Sequence, residues 1–427
     1  MSVVAPLKDR MEDIEQYYSG ILLPAKPISD RAIKAVISEW SKARGLELRS
    51  ERKTVELMKK STNSGSPYFT KRRNVTDQTI PGSVWQKEDI VLQQLPNFWG
   101  QACAILGWRG QEGGPSKEDV KQRVVWMFPY AVNVQELRVY QPLIEAAQKF
   151  DIVSSWVSMD AVDRKVTALF DTKGDNPIVC TDFTKFDQHF NKTLQDASYT
   201  ILRSIFTPNH IDGWLQQVYG IKYMIPLAYD YGKIVYGRHG MGSGSGGTNA
   251  DETLAHRALQ FEAAQNQGVM LNPNSQCLGD DGILSYPGIT VEDVVHSYSS
   301  HGLEMNQSKQ YVGTQDCTYL RRWHHNKYRI DGVCVGVYST MRALGRLRYL
   351  ERYQNPEYWC PKMVALRQLS ILENVKWHPL REQFAEFCMK RDKYKLGIDI
   401  PGFLSNIEGE TKEAIDHMPD FMGYTKT

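Results

Sequence analysis

Apolar positions three and four apart at Ile33, Val36, Ile37 and Trp40 predict a helical beginning over roughly 28–60. The segment STNSGSPYFTKRR that follows is too rich in Gly, Ser and Pro for anything but a loop. Further on the pattern shortens. Arg123, Val124, Val125 and Trp126 alternate as a strand does, and Ile178, Val179 and Cys180 form a compact apolar run that predicts a buried strand. In QCLGDDGILSY, Cys277 with Leu278 and Ile283 with Leu284 flank two acids and two glycines, which predicts a hairpin with carboxylates at its tip. Leu254, Ala258 and Phe261 share one face of a helix. From about 341 the chain reads as helix after helix: MRALGRLRYLERY, MVALRQLSILENV and REQFAEFCMKRD. Without an internal repeat or low-complexity stretch, this is one α+β body with a helical carboxyl-terminal part.

Composition narrows the class. With 427 residues, 41% hydrophobic and 11% aromatic, the chain can bury a large core and is no disordered tail. It has no run of about 18 apolar residues, and its amino terminus turns charged before a signal core could form, so a soluble, unexported protein without a membrane partner is expected. Seven scattered cysteines, none paired at the spacing zinc prefers, predict free thiols in a reducing compartment. Net charge is only +2, yet between Lys42 and Arg73 ten Lys or Arg face three Glu, which makes that segment a candidate phosphate-facing surface.

Two carboxylate clusters carry the candidate chemistry. The 178–180 strand delivers Asp182 to its end, with Asp187 five residues on, and the hairpin tip holds Asp280 and Asp281. Adjacent carboxylates repel unless water screens them or a cation sits between them, and magnesium needs hard oxygen ligands on rigid backbone. Each cluster alone is weak, because Asp is common in solvated turns and helix caps. Between them, HGMGSGSGGTNADETLAHRALQF packs five glycines into nine residues before a helix, a backbone suited to close approach of an anionic ligand. It is not a Walker loop, since no Lys stands at the required position.

The three elements in this order resemble the palm motifs of viral RNA-dependent RNA polymerases, and DFTKFDQHFN with SGSGGTN is most similar to picobirnaviruses, then partitiviruses. The resemblance implies a right-hand polymerase: an N-terminal helical segment with fingertips (1–60), fingers (61–175), a first palm part (176–200), a fingers insertion (201–240), a second palm part (241–335) built on antiparallel sheet and helices, and a helical thumb (336–427). It makes Asp182 and Asp280 metal ligands, Asp281 a supporting acid and Asp187 a sensor of the ribose hydroxyl. Ser243, Gly244 and Thr248 fall on a loop that positions template and nucleotide. Glu252 stands where many relatives carry an asparagine, and Asn249 follows the threonine directly instead, so Asn249 becomes the nucleotide-binding candidate. VKQRVVWMFPYAVNVQELR is similar to the fingers motif that lines the nucleotide channel, which puts Lys121 and Arg123 on the triphosphate, with Arg138 as a further candidate. NSGSPYFTKRR resembles a template-admitting loop, with Lys71, Arg72 and Arg73 on the RNA backbone. HGLEMNQSKQ carries the candidate general acid Lys309, and CTYLRRWH would set Leu320, Arg321 and Arg322 beside the product strand.

The reaction so implied is attack of a primer 3′-hydroxyl on the α-phosphorus of a nucleoside triphosphate, assisted by two Mg2+ ions, with Mn2+ as a substitute. Expected partners are template and product RNA, nucleoside triphosphates and a viral capsid protein, and the expected place is the virion interior and the host cytoplasm. A reverse transcriptase is the near rival, but the aromatic residues such enzymes usually carry before the paired acids and near Asp187 are missing. A noncatalytic RNA-binding or capsid-interior protein with a decayed palm is the distant rival, and the intact Asp182, Asp280, Asp281 and Lys309 count against it.

Overall fold

A computed structural model describes residues 5–111, 121–349 and 355–417. Four β-sheets and some fifteen α-helical segments make up these residues. The sheet that matters most for chemistry runs in the order Tyr311–Gly313, Ile178–Thr181, Asp281–Leu284, Gln276–Leu278, with every neighbouring pair antiparallel. All four residues of the Ile178–Thr181 strand are buried, and the reason is that both faces of this sheet are covered. Val179 and Leu284 point into the main core, shared with the helices Lys192–Ile205 and Thr248–Asn266. Ile178, Cys180 and Ile283 point the other way, into a second core with Val162, Val166 and Leu169 of the helix Met159–Thr172. A strand covered on both faces cannot alternate, which explains the unbroken apolar run in its sequence.

The helix Thr248–Asn266 shows the same effect on a larger scale. Leu254, Ala258 and Phe261 suggest one apolar face, yet Asp251, Glu252, Thr253, His256, Arg257, Gln260 and Glu262 are buried as well. Several of these polar residues are held by neighbours; Arg257, for instance, pairs with Glu39 at 2.6 Å. The single helical beginning predicted over roughly 28–60 resolves into two shorter helices, Asp30–Glu39 and Glu51–Leu57, capped by the Ser29 and Ser50 hydroxyls.

The sheet containing Lys121–Met127 pairs it with Ala104–Gln111, which in turn lies parallel to Leu227–Asp230. Residues more than a hundred positions apart are thereby joined, and the Ile178–Thr181 strand lies in sequence between them. Toward the carboxyl end, the helices Thr340–Arg348, Pro361–Asn374 and Arg381–Arg391 fall where three were predicted, residues 350–353 of the first prediction lying outside the described residues, and they bury their own smaller cores around Ile371, Phe384 and Leu366. No helix among the described residues is long and apolar enough to cross a membrane.

Candidate active site

Strand register brings the two acid clusters together. Gly282 pairs with Thr181 across the central sheet, so the next residues outward are Asp182 on one strand and Asp281 on the other; opposite residues in such a ladder have Cα atoms about 5 Å apart. Asp281 also pairs back to Leu278, which leaves Gly279 and Asp280 as a two-residue turn. Gly279 makes that turn possible with φ +58°, and it brings Asp280 to the same rim as Asp182, both side chains exposed. His256, buried behind the turn, donates from Nδ1 to the Gly279 carbonyl at 2.8 Å and buttresses it. Gln310 fixes the other strand end: its Oε1 accepts from the Asp182 amide at 2.7 Å and its Nε2 donates to the Asp182 carbonyl at 2.8 Å.

Charge around the rim is strongly negative. Burial pushes the Asp281 carboxyl up to about 6, helped by the charge on Asp280 and opposed by the Leu320 amide, which donates to Asp281 Oδ2 at 2.8 Å. Burial also raises Asp187, and raises Glu252 well above the ordinary carboxylate range, with the two side chains hydrogen-bonded to each other. The shared hydrogen bond acts oppositely on the two groups, lowering Asp187 and raising Glu252 further. Glu252 Oε2 and Asn249 Nδ2 both approach the turn at Gly279, and the Asn249 Oδ1 accepts from the Trp156 indole at 2.8 Å, so its amide N–H groups face the acids. Opposing the carboxylates are two exposed cations whose charges act on them, Arg123 on Asp187 and Arg321 on Asp281.

Among the described residues, no three His, Cys, Asp or Glu side chains already close into a metal cage. The donor set nonetheless suits a hard divalent cation. Two exposed carboxylates from rigid strand ends supply part of an oxygen shell, and magnesium ordinarily takes the remainder from water and substrate phosphates.

Other predicted residues divide sharply. Ser243 donates to the Val124 carbonyl at 3.3 Å and Thr248 to the Gly242 carbonyl at 3.3 Å, which ties the glycine loop to the Lys121–Met127 strand and closes its end. Gly244 is required sterically, since a Cβ there would lie 1.6 Å from the Trp126 carbonyl oxygen. Lys309 is exposed in the short turn Gln307–Lys309, one residue before Gln310. Leu320 and Arg321 form the turn of the hairpin Asp316–Tyr319/Arg322–His325, both with positive φ (52° and 62°), and that turn rests on Asp281. Arg322 behaves differently: it is buried and faces Asp163 rather than the open side. Arg72 is also committed inward, donating to Asn133 Oδ1 at 2.7 Å over the Tyr130 ring, while Lys71 and Arg73 stay exposed. Arg138 donates to the Arg49 carbonyl and to Gln135, away from the rim. Much of the basic run is spent the same way: Arg49 on Glu145 and Gln141, Lys53 on Glu56, Arg44 on Ser204. The Lys121 side chain lies outside the described residues.

A family model described as viral RNA-dependent RNA polymerase matches residues 24–370. This chain belongs to the viral RNA-dependent RNA polymerases. It is 61% identical over 429 residues to a potential RNA-dependent RNA polymerase of human picobirnavirus (strain Human/Thailand/Hy005102/-), covering all of this chain and 80% of that protein. A more distant relative, the RNA-directed RNA polymerase of Cryptosporidium parvum virus 1 (strain KSU-1), is 24% identical over 67% of the chain and 56% of its own length. Crystal structures of a human picobirnavirus polymerase, intact and with an insertion loop deleted, superpose with TM-scores of 0.94 and 0.95 at 60% identity, covering 97% of this chain and 79% and 82% of theirs. The α+β right-hand polymerase fold and RNA-templated RNA synthesis follow for this polymerase, with RNA and nucleoside triphosphates as ligands and divalent metal ions as the family's cofactors.

Proposed function

We propose that Asp182 and Asp280 form the metal-binding centre of this polymerase and that the rim around them carries nucleotidyl transfer. The observation behind this reading is the Thr181–Gly282 register, which sets acids nearly a hundred residues apart side by side. Mg2+ ions, two in number and replaceable by Mn2+, would there stabilise the attacking and leaving oxygens of an in-line displacement. Asp281, with its raised pKa, supports the site from the second row. Arg123 and Lys121 offset the charge of the triphosphate, Lys309 gives a proton to the departing pyrophosphate, and Asp187 and Asn249 hydrogen-bond the incoming sugar. Ser243, Gly244 and Thr248 shape the loop against which template and nucleotide settle. On the product side, an open cavity of about 470 Å³ lined by Asp281, Arg321, Trp323, Thr340, Arg342 and His378 suits a nucleic-acid backbone. Lys71 and Arg73 guide the template strand.

A division into fingers (61–175 with 201–240), palm (176–200 with 241–335) and thumb (336–427), preceded by the helical segment 1–60, accommodates these roles. The parallel pairing of Ala104 with Leu227 supports joining the two fingers pieces. A viral capsid protein as partner, and synthesis within the virion and host cytoplasm, belong to the same proposal. The test is incorporation by purified protein on a defined RNA without primer, with Mg2+ and then Mn2+, beside Asp280→Ala. Synthesis lost only in the variant is the expected result; equal synthesis by both would remove the metal assignment.

A further inference from the structure

Residues 244 to 247 of the glycine loop are tied to one helix. Glu136 of Tyr130–Phe150, fully buried, accepts from the Ser245 hydroxyl and from the Gly246 amide at 3.1 Å. It also accepts from the Asn133 amide at 3.0 Å, and the same nitrogen of Asn133 donates to the Gly244 carbonyl at 3.2 Å. One turn further, Tyr140 donates to Asp251 at 2.7 Å and lies so close to Gly247 that a Cβ there would meet its ring at 2.3 Å. Asp251 pairs with buried Lys222 at 3.0 Å, and the Lys222 carbonyl accepts from the Gly242 amide at 3.0 Å. From the opposite side, Arg72 reaches Asn133 Oδ1 at 2.7 Å. A buried carboxylate is costly to desolvate and persists where donors satisfy it; here two of Glu136's three donors come from the loop. A packing role alone would be met by an apolar side chain.

We infer that Glu136 is a positioning residue that sets the shape of the loop 242–247, and that Arg72, through Asn133, locks this shape to the basic loop instead of contacting RNA. The inference deepens the proposed role of that loop and rests on it only for the kinetic readouts. Tyr130 donates its amide to the Ser64 carbonyl at 2.8 Å, so the basic loop is seated on the same helix end, and the three elements share one hydrogen-bond chain.

The test uses the full chain with Glu136→Gln, Ser245→Ala and Arg72→Gln, followed by hydrogen exchange of the 242–248 amides, nucleotide KM and single-turnover rate. Glu136→Gln and Ser245→Ala should speed loop exchange about tenfold, as expected for local opening that loses a buried hydrogen bond. Nucleotide KM should rise severalfold while the single-turnover rate at saturating nucleotide stays within about twofold. Arg72→Gln should quicken loop exchange and leave the salt slope of RNA binding as it was. Unchanged exchange in Ser245→Ala overturns the inference even if Glu136→Gln does not fold, and a flattened salt slope in Arg72→Gln returns that residue to the RNA surface. If the unsubstituted protein makes no RNA, the proposed function fails while the exchange data still decide the latch.

Discussion

Gln310 grips Asp182 by both ends of its backbone, accepting the amide proton and donating to the carbonyl. In the metal-binding role proposed for Asp182, two hydrogen bonds to one side chain would fix the ligand in direction as well as in place. Gln310→Ala should therefore cost about 1–2 kcal/mol of stability yet slow elongation by about tenfold or more, because small misplacements of a ligand are expensive in the transition state. Thermal unfolding and single-turnover kinetics on the same preparation check this; a rate loss no larger than the stability loss predicts would leave Gln310 a purely structural residue.

For the acids themselves, Asp182→Ala and Asp280→Ala should fold normally and lose elongation. Both side chains are exposed, so their removal opens no cavity. Circular dichroism with primer extension separates the two properties, and near-normal synthesis by either variant would refute the assignment.

Lys309 stands in solvent one residue from Gln310. In the proposed role of proton donor to pyrophosphate it would affect the chemical step alone, so Lys309→Ala should lower the single-turnover rate by about 10²-fold with nucleotide affinity unchanged. A weaker affinity at an unaltered rate would make it a phosphate contact instead.

Lys71 and Arg73 are exposed where Arg72 is not. Neutralising both should reduce the salt slope of RNA binding by about 1.5, at roughly 0.7–0.9 per phosphate contact. An unaltered slope takes this loop off the template path.

His256 supplies a pH dependence. Burial lowers its pKa to about 4 from the ordinary imidazole value of 6.5, with the Gly279 carbonyl as an opposing influence. Between about 4 and 6.5 the unfolded chain binds a proton at this site that the folded one does not, so stability rises with pH across that window and is lost as pH falls through it. Urea unfolding at about pH 5 and about pH 7 should show a smaller difference for His256→Asn than for the parent. An equal difference would mean that this ring titrates normally.

The acid strand, the hairpin tip, the glycine loop and the carboxyl-terminal helices were legible because each carries a local pattern: an apolar run, adjacent acids between glycines, or residues three and four apart. What sequence could not reveal is direction. Lys71, Arg72 and Arg73 are alike in charge, yet only the middle one turns inward, because Asn133 and the Tyr130 ring await it there. Arg322 follows Arg321 directly, but strand alternation sends it to the buried face toward Asp163. Glu136 and Gln310 went unnoticed because one polar residue in a helix or at a strand start carries no periodic mark. The one available hint was polar Asn133 and Glu136, three apart on a helix whose inward positions, Gln135 apart, are otherwise mostly apolar or aromatic.

The Ile178–Thr181 strand takes both of its neighbours from later in the chain, Asp281–Leu284 and Tyr311–Gly313. During synthesis, then, an apolar segment leaves the ribosome about a hundred residues before anything can pair with either of its edges. Loop closure of that span is slow compared with local helix formation, and an unpaired apolar strand is a template for aggregation. Fragments ending before residue 313 should accordingly be insoluble rather than partly active, and successful production of the protein should depend on chaperones that shield this strand until its partners arrive.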